Sequence, residues 1–302
     1  HAGDLRIYYE NDFWGPDGTT NYHLRHAYVQ IWNILAGYTY STLNDVDAVP
    51  ETLDYEGPGS VIYQKQPVIR YTTALDAAKR HTLAFGMERG TSDLITSVDD
   101  PDIVITPTSP WPDGVVRYRY DSDQGHLQVG AVFRSVGGYV TGLPQRHVFG
   151  WGINLSGVRR WKGKDNILFQ VSGGRGLGRY IQDVTGLAPD VGIDAQGRLQ
   201  AIPAYAGYIG YQHYWSGTLR STVTYGYMLV DAVGCNFTTD FHHSDYAAAN
   251  LIWNPKDTAF YMGIEYMYGD HETSDTRYGR ANRIQFSFQY DLLRMMNYGP
   301  SR

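Results

Sequence analysis

Eighteen consecutive apolar residues occur nowhere in this 302-residue chain, which excludes a transmembrane helix. Cysteine is nearly absent. The single Cys235 rules out an intramolecular disulfide and any metal site built on paired thiolates. Lysine is scarce, and the formal net charge of -6 lacks the clustered positive excess that phosphate contacts need, so a nucleic-acid partner is excluded. No secretory leader is visible at His1, as expected of a mature or truncated exported chain. Sustained helical periodicity is missing as well.

What the chain does have is 26 Tyr, 7 Trp, 10 Phe and 34 Gly, a mixture of interfacial aromatics and small residues suited to crowded strands and turns. Period-two alternation runs almost throughout. In 281–290, Asn282, Ile284, Phe286, Phe288 and Tyr290 alternate with Arg283, Gln285, Ser287 and Gln289. Leu127, Val129, Ala131 and Phe133 alternate with His126, Gln128, Gly130 and Arg134 in the same way. Each apolar face is four or five residues long, enough to span the roughly 25 Å apolar band of an outer membrane. A strand with one oily and one wet face leaves the mean hydropathy looking soluble, so that average is blind to membrane barrels.

The alternation predicts an all-β fold, a transmembrane antiparallel β-barrel, with fourteen strands near 4–12, 23–32, 34–43, 65–74, 81–89, 114–121, 125–135, 147–158, 166–173, 203–214, 218–229, 245–254, 258–269 and 281–291. Short turns at Trp32-Asn33, 121–124 and 254–257 contrast with long polar connections at 90–113, 174–202 and 230–244. That segregation is the habit of an outer-membrane barrel, with short turns in the periplasm and long loops outside. No linker or shift of composition divides residues 1–302, which read as a single barrel domain with a tail at 292–302.

Arg25, Arg70, Arg117, Arg119, Arg134, Arg220 and Arg283 are assigned to the wet faces of their strands. Guanidinium groups gathered in one lumen form a positive wall that orients carboxylates through forked hydrogen bonds. The alternative is that each pairs with an inward acid such as Glu88 or Glu265 and stiffens the wall. Between the third and fourth strands, 44–64 carries Asp45, Asp47, Glu51, Asp54 and Glu56 among Pro50, Gly57, Pro58 and Gly59. A connection this long inside a compact fold is usually functional. Folded inward, its acids would face the arginine wall across a constriction; left outside, it is an acidic surface loop.

Signals for catalysis are weak, and no catalytic residue, metal or cofactor is assigned. Gly173-Gly174-Arg175-Gly176-Leu177-Gly178 fits neither phosphate-loop spacing and reads as a glycine cluster in a loop. His242 and His243 beside Asp240 and Asp245 have ligand chemistry, but they fall in an expected surface loop without helical spacing and read as solvated loop residues. Asn236-Phe237-Thr238 matches a glycosylation triplet that means little in a bacterial protein.

The stretches Leu24-Arg25-His26-Ala27-Tyr28, Leu35-Ala36-Gly37-Tyr38-Thr39-Tyr40, Pro50-Glu51-Thr52-Leu53-Asp54-Tyr55-Glu56-Gly57-Pro58 and Gln66-Pro67-Val68-Ile69-Arg70-Tyr71 together resemble the DcaP-like trimeric porins of Gram-negative bacteria. So do Trp151-Gly152-Ile153-Asn154-Leu155, Gly178-Arg179-Tyr180-Ile181, Ala249-Asn250-Leu251-Ile252-Trp253 and Ala281-Asn282-Arg283-Ile284-Gln285-Phe286. The resemblance covers nearly the whole chain. It implies a sixteen-stranded barrel, a homotrimer in lipid and lipopolysaccharide, an inward third loop bearing the Pro-Glu motif, and passage of small anionic organic acids such as dicarboxylates. Two departures accompany it. The family has an N-terminal segment and about two strands ahead of Asp4, and members usually end in an aromatic residue where this chain continues as Leu292-Leu293-Arg294-Met295-Met296-Asn297. The expected function is therefore a porin with anion preference, against a barrel enzyme or a loop-mediated adhesin or receptor.

Overall fold

The computed structural model describes residues 5–15, 19–93, 105–140, 143–185, 190–194, 198–231, 241–256 and 258–290. Its strands in chain order are β1 (Leu5–Trp14), β2 (Thr20–Ile31), β3 (Ile34–Tyr40), β4 (Lys65–Ala74), β5 (His81–Glu88), β6 (Ile105–Pro107), β7 (Asp113–Ser122), β8 (Gly125–Val140) and β9 (Leu143–Arg160). There follow β10 (Asn166–Arg175), β11 (Val191–Ile193), β12 (Leu199–Ala201), β13 (Pro203–Tyr214), β14 (Leu219–Val230), β15 (Phe241–Trp253), β16 (Phe260–Thr273) and β17 (Tyr278–Tyr290). All fourteen strands expected from the alternation are present, and β6, β11 and β12 are short additions inside the long connections.

The fourteen long strands pair antiparallel with their sequence neighbours in one continuous sheet from β1 to β17, while β6 pairs with β8, and β11 and β12 pair only with each other. Hairpin pairing of this kind follows from the short turns. In the turn between β2 and β3, Trp32 takes a positive φ of 51°, which the tight hairpin demands, and its ring stays exposed where an interfacial indole is at home.

The sheet curls round an interior. Leu53, thirteen residues beyond the end of β3, hydrogen-bonds to both Glu265 on β16 and Gln285 on β17, at the far end of the strand order. Side chains on the two faces have opposite fates. Ile284, Phe286 and Phe288 are 65, 77 and 64 % exposed, and Phe85, Phe149, Ile209 and Val223 join them on the outside. Gln128, Asn154, Gln170 and Glu265 on the inner face are completely buried. An apolar surface wrapped outside polar side chains inverts the soluble pattern and needs lipid around it.

Two connections fold into the interior and supply its hydrophobic core. The first, 41–64, buries Leu43 and Ile62; the second buries Leu177, Tyr180, Ile181 and Val184 against them and against Val115, Val132, Ala204 and Met228 of the wall. The sequence reading set 174–202 outside the barrel, and for its described part from Leu177 to Val184 the structure corrects this. The apolar cluster there has no strand periodicity and finds its burial inside the lumen, where Ile181 bridges to Ile62. Of the other expected external loops, 94–104 and 232–240 lie outside the described residues, as does the tail 292–302.

Candidate functional site

The segment 41–64 is held to the wall by polar groups from many strands. Thr42 N–H donates to Glu88 Oε1 at 2.6 Å, and the N–H groups of Leu53 and Asp54 donate to the Glu265 carboxylate at 2.9 and 2.7 Å. Gln170 accepts from Ile62 N–H at 3.1 Å and donates to Ser60 O at 3.0 Å. A segment without strand pairing must satisfy its backbone in this way, because an orphaned buried amide costs about 1–3 kcal/mol. Wall glycines make the approach possible: a Cβ on Gly210 would stand 2.9 Å from Pro50, on Gly226 2.7 Å from Ser60, and on Gly263 2.9 Å from Leu53.

Three of the five loop acids are placed against basic wall residues. Asp45 accepts from Ser156 Oγ at 2.7 Å and contacts His126 Nε2 at 2.8 Å and Arg119 at 3.4 Å. Burial disfavours its charge, but the His126, Ser156 and Arg119 contacts outweigh that and hold the carboxyl below its usual range. Asp47 meets Arg119 at 2.9 Å, and Glu51 clasps Arg220 with two bonds of 2.6 Å. These three stand beside arginines, not across the lumen from them as a facing constriction would require. Asp54 and Glu56 sit farther along, where Asp54 accepts from Tyr246 at 3.3 Å and Glu56 approaches Asp183 of the second inward segment. The serine, aspartate and histidine at Asp45 resemble a catalytic triad in composition only. The carboxylate is in the middle and takes the serine proton's hydrogen bond, so no base activates the hydroxyl.

The seven arginines divide by environment. Arg134 does not line an open pore: its side chain is 0 % exposed, paired with Asp113 at 2.9 Å and Asp190 at 2.8 Å, and it fastens the second inward segment to the wall. Arg220 and Arg119 are half-buried and ion-paired, Arg119 also with Asp121 at 3.0 Å. Arg283 is exposed on β17, in register with Met267 on the inner face. Arg25 owes its position to a β-bulge, since Glu10 pairs with His26 and Asn11 with Leu24, leaving Arg25 as the extra residue. It faces the lumen beside His26, donates to Tyr55 at 2.8 Å and lies 3.4 Å from Asp12.

Arg70 on β4 and Arg117 on β7 flank Gly86 and Ala84 of β5, their register partners. Neither has a carboxylate within 4.0 Å among the described residues. Arg117 is pressed by the charges of Arg70 and Arg119, and its Nε has no hydrogen-bond partner. Both side chains line a chamber of about 350 Å³ with Arg6, Tyr8, Tyr28 and Arg119.

Nearer the long connections a second chamber of about 630 Å³ is bounded by Trp14, His23, Arg25, Tyr55, Tyr63 and Lys65. Between the chambers the Tyr40 and Tyr63 hydroxyls meet at 3.0 Å, and the Lys65 ammonium lies 5.5 and 5.4 Å from the two ring centres. Sequence reasoning missed Arg6, Lys65 and these tyrosines. Arg6 was accessible to it, alternating with Leu5 and Ile7.

Walls built this way, oily outside and charged within, with connections tucked into the lumen, define the porin class of outer-membrane channels. The chain belongs to the DcaP outer membrane protein family, whose profile matches residues 1–292. It is a protein of the bacterial outer membrane. Among solved structures it is similar to the outer membrane channel DcaP of Acinetobacter baumannii, at 19% identity and a TM-score of 0.80 over 96% of this chain and 82% of that one. A loop-deletion form of OmpT from Vibrio cholerae is similar at 11% identity and TM-score 0.58, over 96% and 85% of the two chains. An anion-selective porin from Comamonas acidovorans is similar at 12% and 0.56, over 95% and 82%. At such identities these likenesses speak to the fold. No match was found among curated proteins.

Proposed function

We propose that the chain is a passive, homotrimeric diffusion channel that favours small anions, and organic dianions such as dicarboxylates above monoanions. The observation that carries this reading is the pair Arg70 and Arg117, which share one chamber without a carboxylate partner within 4.0 Å among the described residues. Two guanidinium groups held side by side repel each other, and an anion between them relieves that repulsion while gaining forked hydrogen bonds. A dianion with carboxylates at its two ends engages both. Arg25 and Lys65 in the chamber nearer the long connections supply the preceding step of a positive path. The segment 41–64 narrows the lumen, fastened from Glu88 of β5 to Gln285 of β17, and the two basic chambers beside it are the solute's route.

Neither enzyme nor adhesin is favoured by a specific contact, and the serine at Asp45 has no base. The test is Arg70→Gln with Arg117→Gln in planar bilayers under a salt gradient. The reversal potential is expected to move toward cation preference, and dicarboxylate flux in liposomes to fall more than that of neutral sugars. Unchanged potential and flux in a folded, heat-modifiable double variant would refute the assignment.

A further inference from the structure

On the outer wall, the face of β15 that turns Leu251 and Trp253 toward lipid carries His243 and Asp245 near the long connections. The sequence reading left these residues in a surface loop, yet β15 begins at Phe241; Asp240 lies outside the described residues. The antiparallel register sets Asp245 directly opposite Asp270 of β16 and His243 opposite Glu272. Like charges facing each other across a ladder destabilise it, and the basic side chain beside this pair of carboxylates is His243, which also lies 3.9 Å from Glu272. Arg280, the register partner of Asp270 on β17, makes no ion pair with it within 4.0 Å.

The three side chains converge. One ligand atom each from His243, Asp245 and Asp270 lie within 4.8 Å of one another, and all three groups are part-buried. Their surroundings orient them. Tyr225 donates to Asp245 Oδ1, and Tyr268 and Tyr278 donate to Asp270 Oδ2 at 2.9 and 3.0 Å. The Asp245 N–H donates to Asp270 Oδ1 at 3.3 Å. Outer hydrogen bonds of this kind fix carboxylates in ligating positions. The imidazole separates this set from an ordinary acidic patch, because a neutral ring nitrogen beside two carboxylates is a transition-metal donor set, whereas calcium and magnesium take oxygen.

We propose that His243, Asp245 and Asp270 form a divalent transition-metal site on the lipid-facing wall, with Zn²⁺ as the fitting ion and one coordination position left open toward the membrane surface. Zn²⁺ bonds to nitrogen and carboxylate oxygen are about 2.0–2.2 Å, so ligand atoms within 4.8 Å of one another close on a shared ion by small side-chain rotations. The ion neutralises the Asp245–Asp270 repulsion and ties the ends of β15 and β16 together beside the 231–241 connection.

The test uses the folded chain in detergent, stripped with a chelator and titrated with ZnCl₂, with bound metal counted per chain and the ligand set read by X-ray absorption. One tight zinc per chain with a single imidazole in its shell is expected, with a higher unfolding temperature. His243→Gln and Asp270→Asn should each weaken binding at least tenfold, while single-channel conductance stays as in the parent because the site is outside the lumen. His213→Gln, elsewhere on the wall, should leave zinc binding unchanged. No stoichiometric zinc on the heat-modifiable chain, a shell without imidazole, equal affinity for Ca²⁺, or undiminished affinity in folded His243→Gln would each overturn the site.

Discussion

Replacing Glu265 by glutamine is the most direct probe of how the inward segment is seated. The carboxylate is fully buried and accepts the N–H groups of Leu53 and Asp54 at 2.9 and 2.7 Å and the Asn250 amide at 2.9 Å. Glutamine keeps the shape but turns one acceptor into a donor, so at least one of the three N–H groups faces another. A buried donor left unsatisfied costs about 1–3 kcal/mol, and loss of charge assistance in the remaining bonds adds about 1 kcal/mol. A penalty of about 2–4 kcal/mol lowers the ratio of seated to unseated segment by roughly 30- to 700-fold. The flanks stay fastened, since Asp45 keeps His126 and Ser156, and Glu51 keeps Arg220. Only the tip around Thr52–Gly57 should swing free. Planar-bilayer recordings should show excess current noise and excursions to higher conductance, with new protease cleavage near the tip. A heat-modifiable Glu265→Gln barrel with parental conductance, noise and protease resistance would show that this carboxylate does not seat the loop.

A side chain on the glycine wall should have the opposite sense. In Gly226→Val the added Cβ would lie 2.7 Å from Ser60 and 3.1 Å from Pro58, so the segment is expected to shift toward the lumen centre and single-channel conductance to fall. Desolvation against Gly59, with Glu56 and Asp54 nearby, raises the Asp183 carboxyl to about 6, although the residue keeps an exposed edge. In place it is neutral below about 6, whereas freed it ionises above 3.8, so contact between the two inward segments should weaken as pH rises from 3.8 through about 6. Hydrogen exchange at the Gln182 and Asp183 amides, which donate to Val61 and Gly59, should quicken accordingly, and Asp183→Asn should abolish the pH dependence. Asp165, in the turn between β9 and β10, is lowered to about 2 by the Tyr214 N–H, the Tyr211 hydroxyl and His213. A depressed acid stabilises the fold above its unfolded value and loses that as pH falls through about 2; Asp165→Asn should lower the melting temperature at pH 7 and leave it nearly unchanged at pH 2.

The strands were legible because lipid outside and water inside impose a period of two on every crossing, as Ile284, Phe286 and Phe288 show against Gln285 and Ser287. What falls between the strands obeys no such period. Leu177 to Val184 looked like loop because its burial comes from a second segment, Val61 to Tyr63, distant in the chain. Arg25 illustrates a subtler limit. The sequence reading set it on the wet face, but strict alternation from Val29 would turn it toward lipid, and the bulge between Glu10 and Asn11 is what brings it inward beside His26. Arg134 shows the converse, with its inward direction legible from parity but its full burial set by Asp190, which returns from the second inward segment.

Net charge illustrates the same separation between composition and arrangement. The chain carries -6 overall, which taken alone suggests a surface hostile to anions. The field that a permeating solute meets is set by groups within a screening length of about 8 Å at physiological salt, not by the sum over the molecule. Arg6, Arg25, Lys65, Arg70, Arg117 and Arg119 line the two chambers, against Asp12, Asp45, Asp47 and Glu56. Two of those acids, Asp45 and Asp47, are already spent on Arg119. The positive surplus therefore concentrates at Arg70 and Arg117, on either side of Ala84 and Gly86, where Thr42 of the inward segment packs against the glycine. A selectivity of this origin should fade toward 1 M salt, where screening shortens to about 3 Å, and survive changes to the chain's surface charge elsewhere.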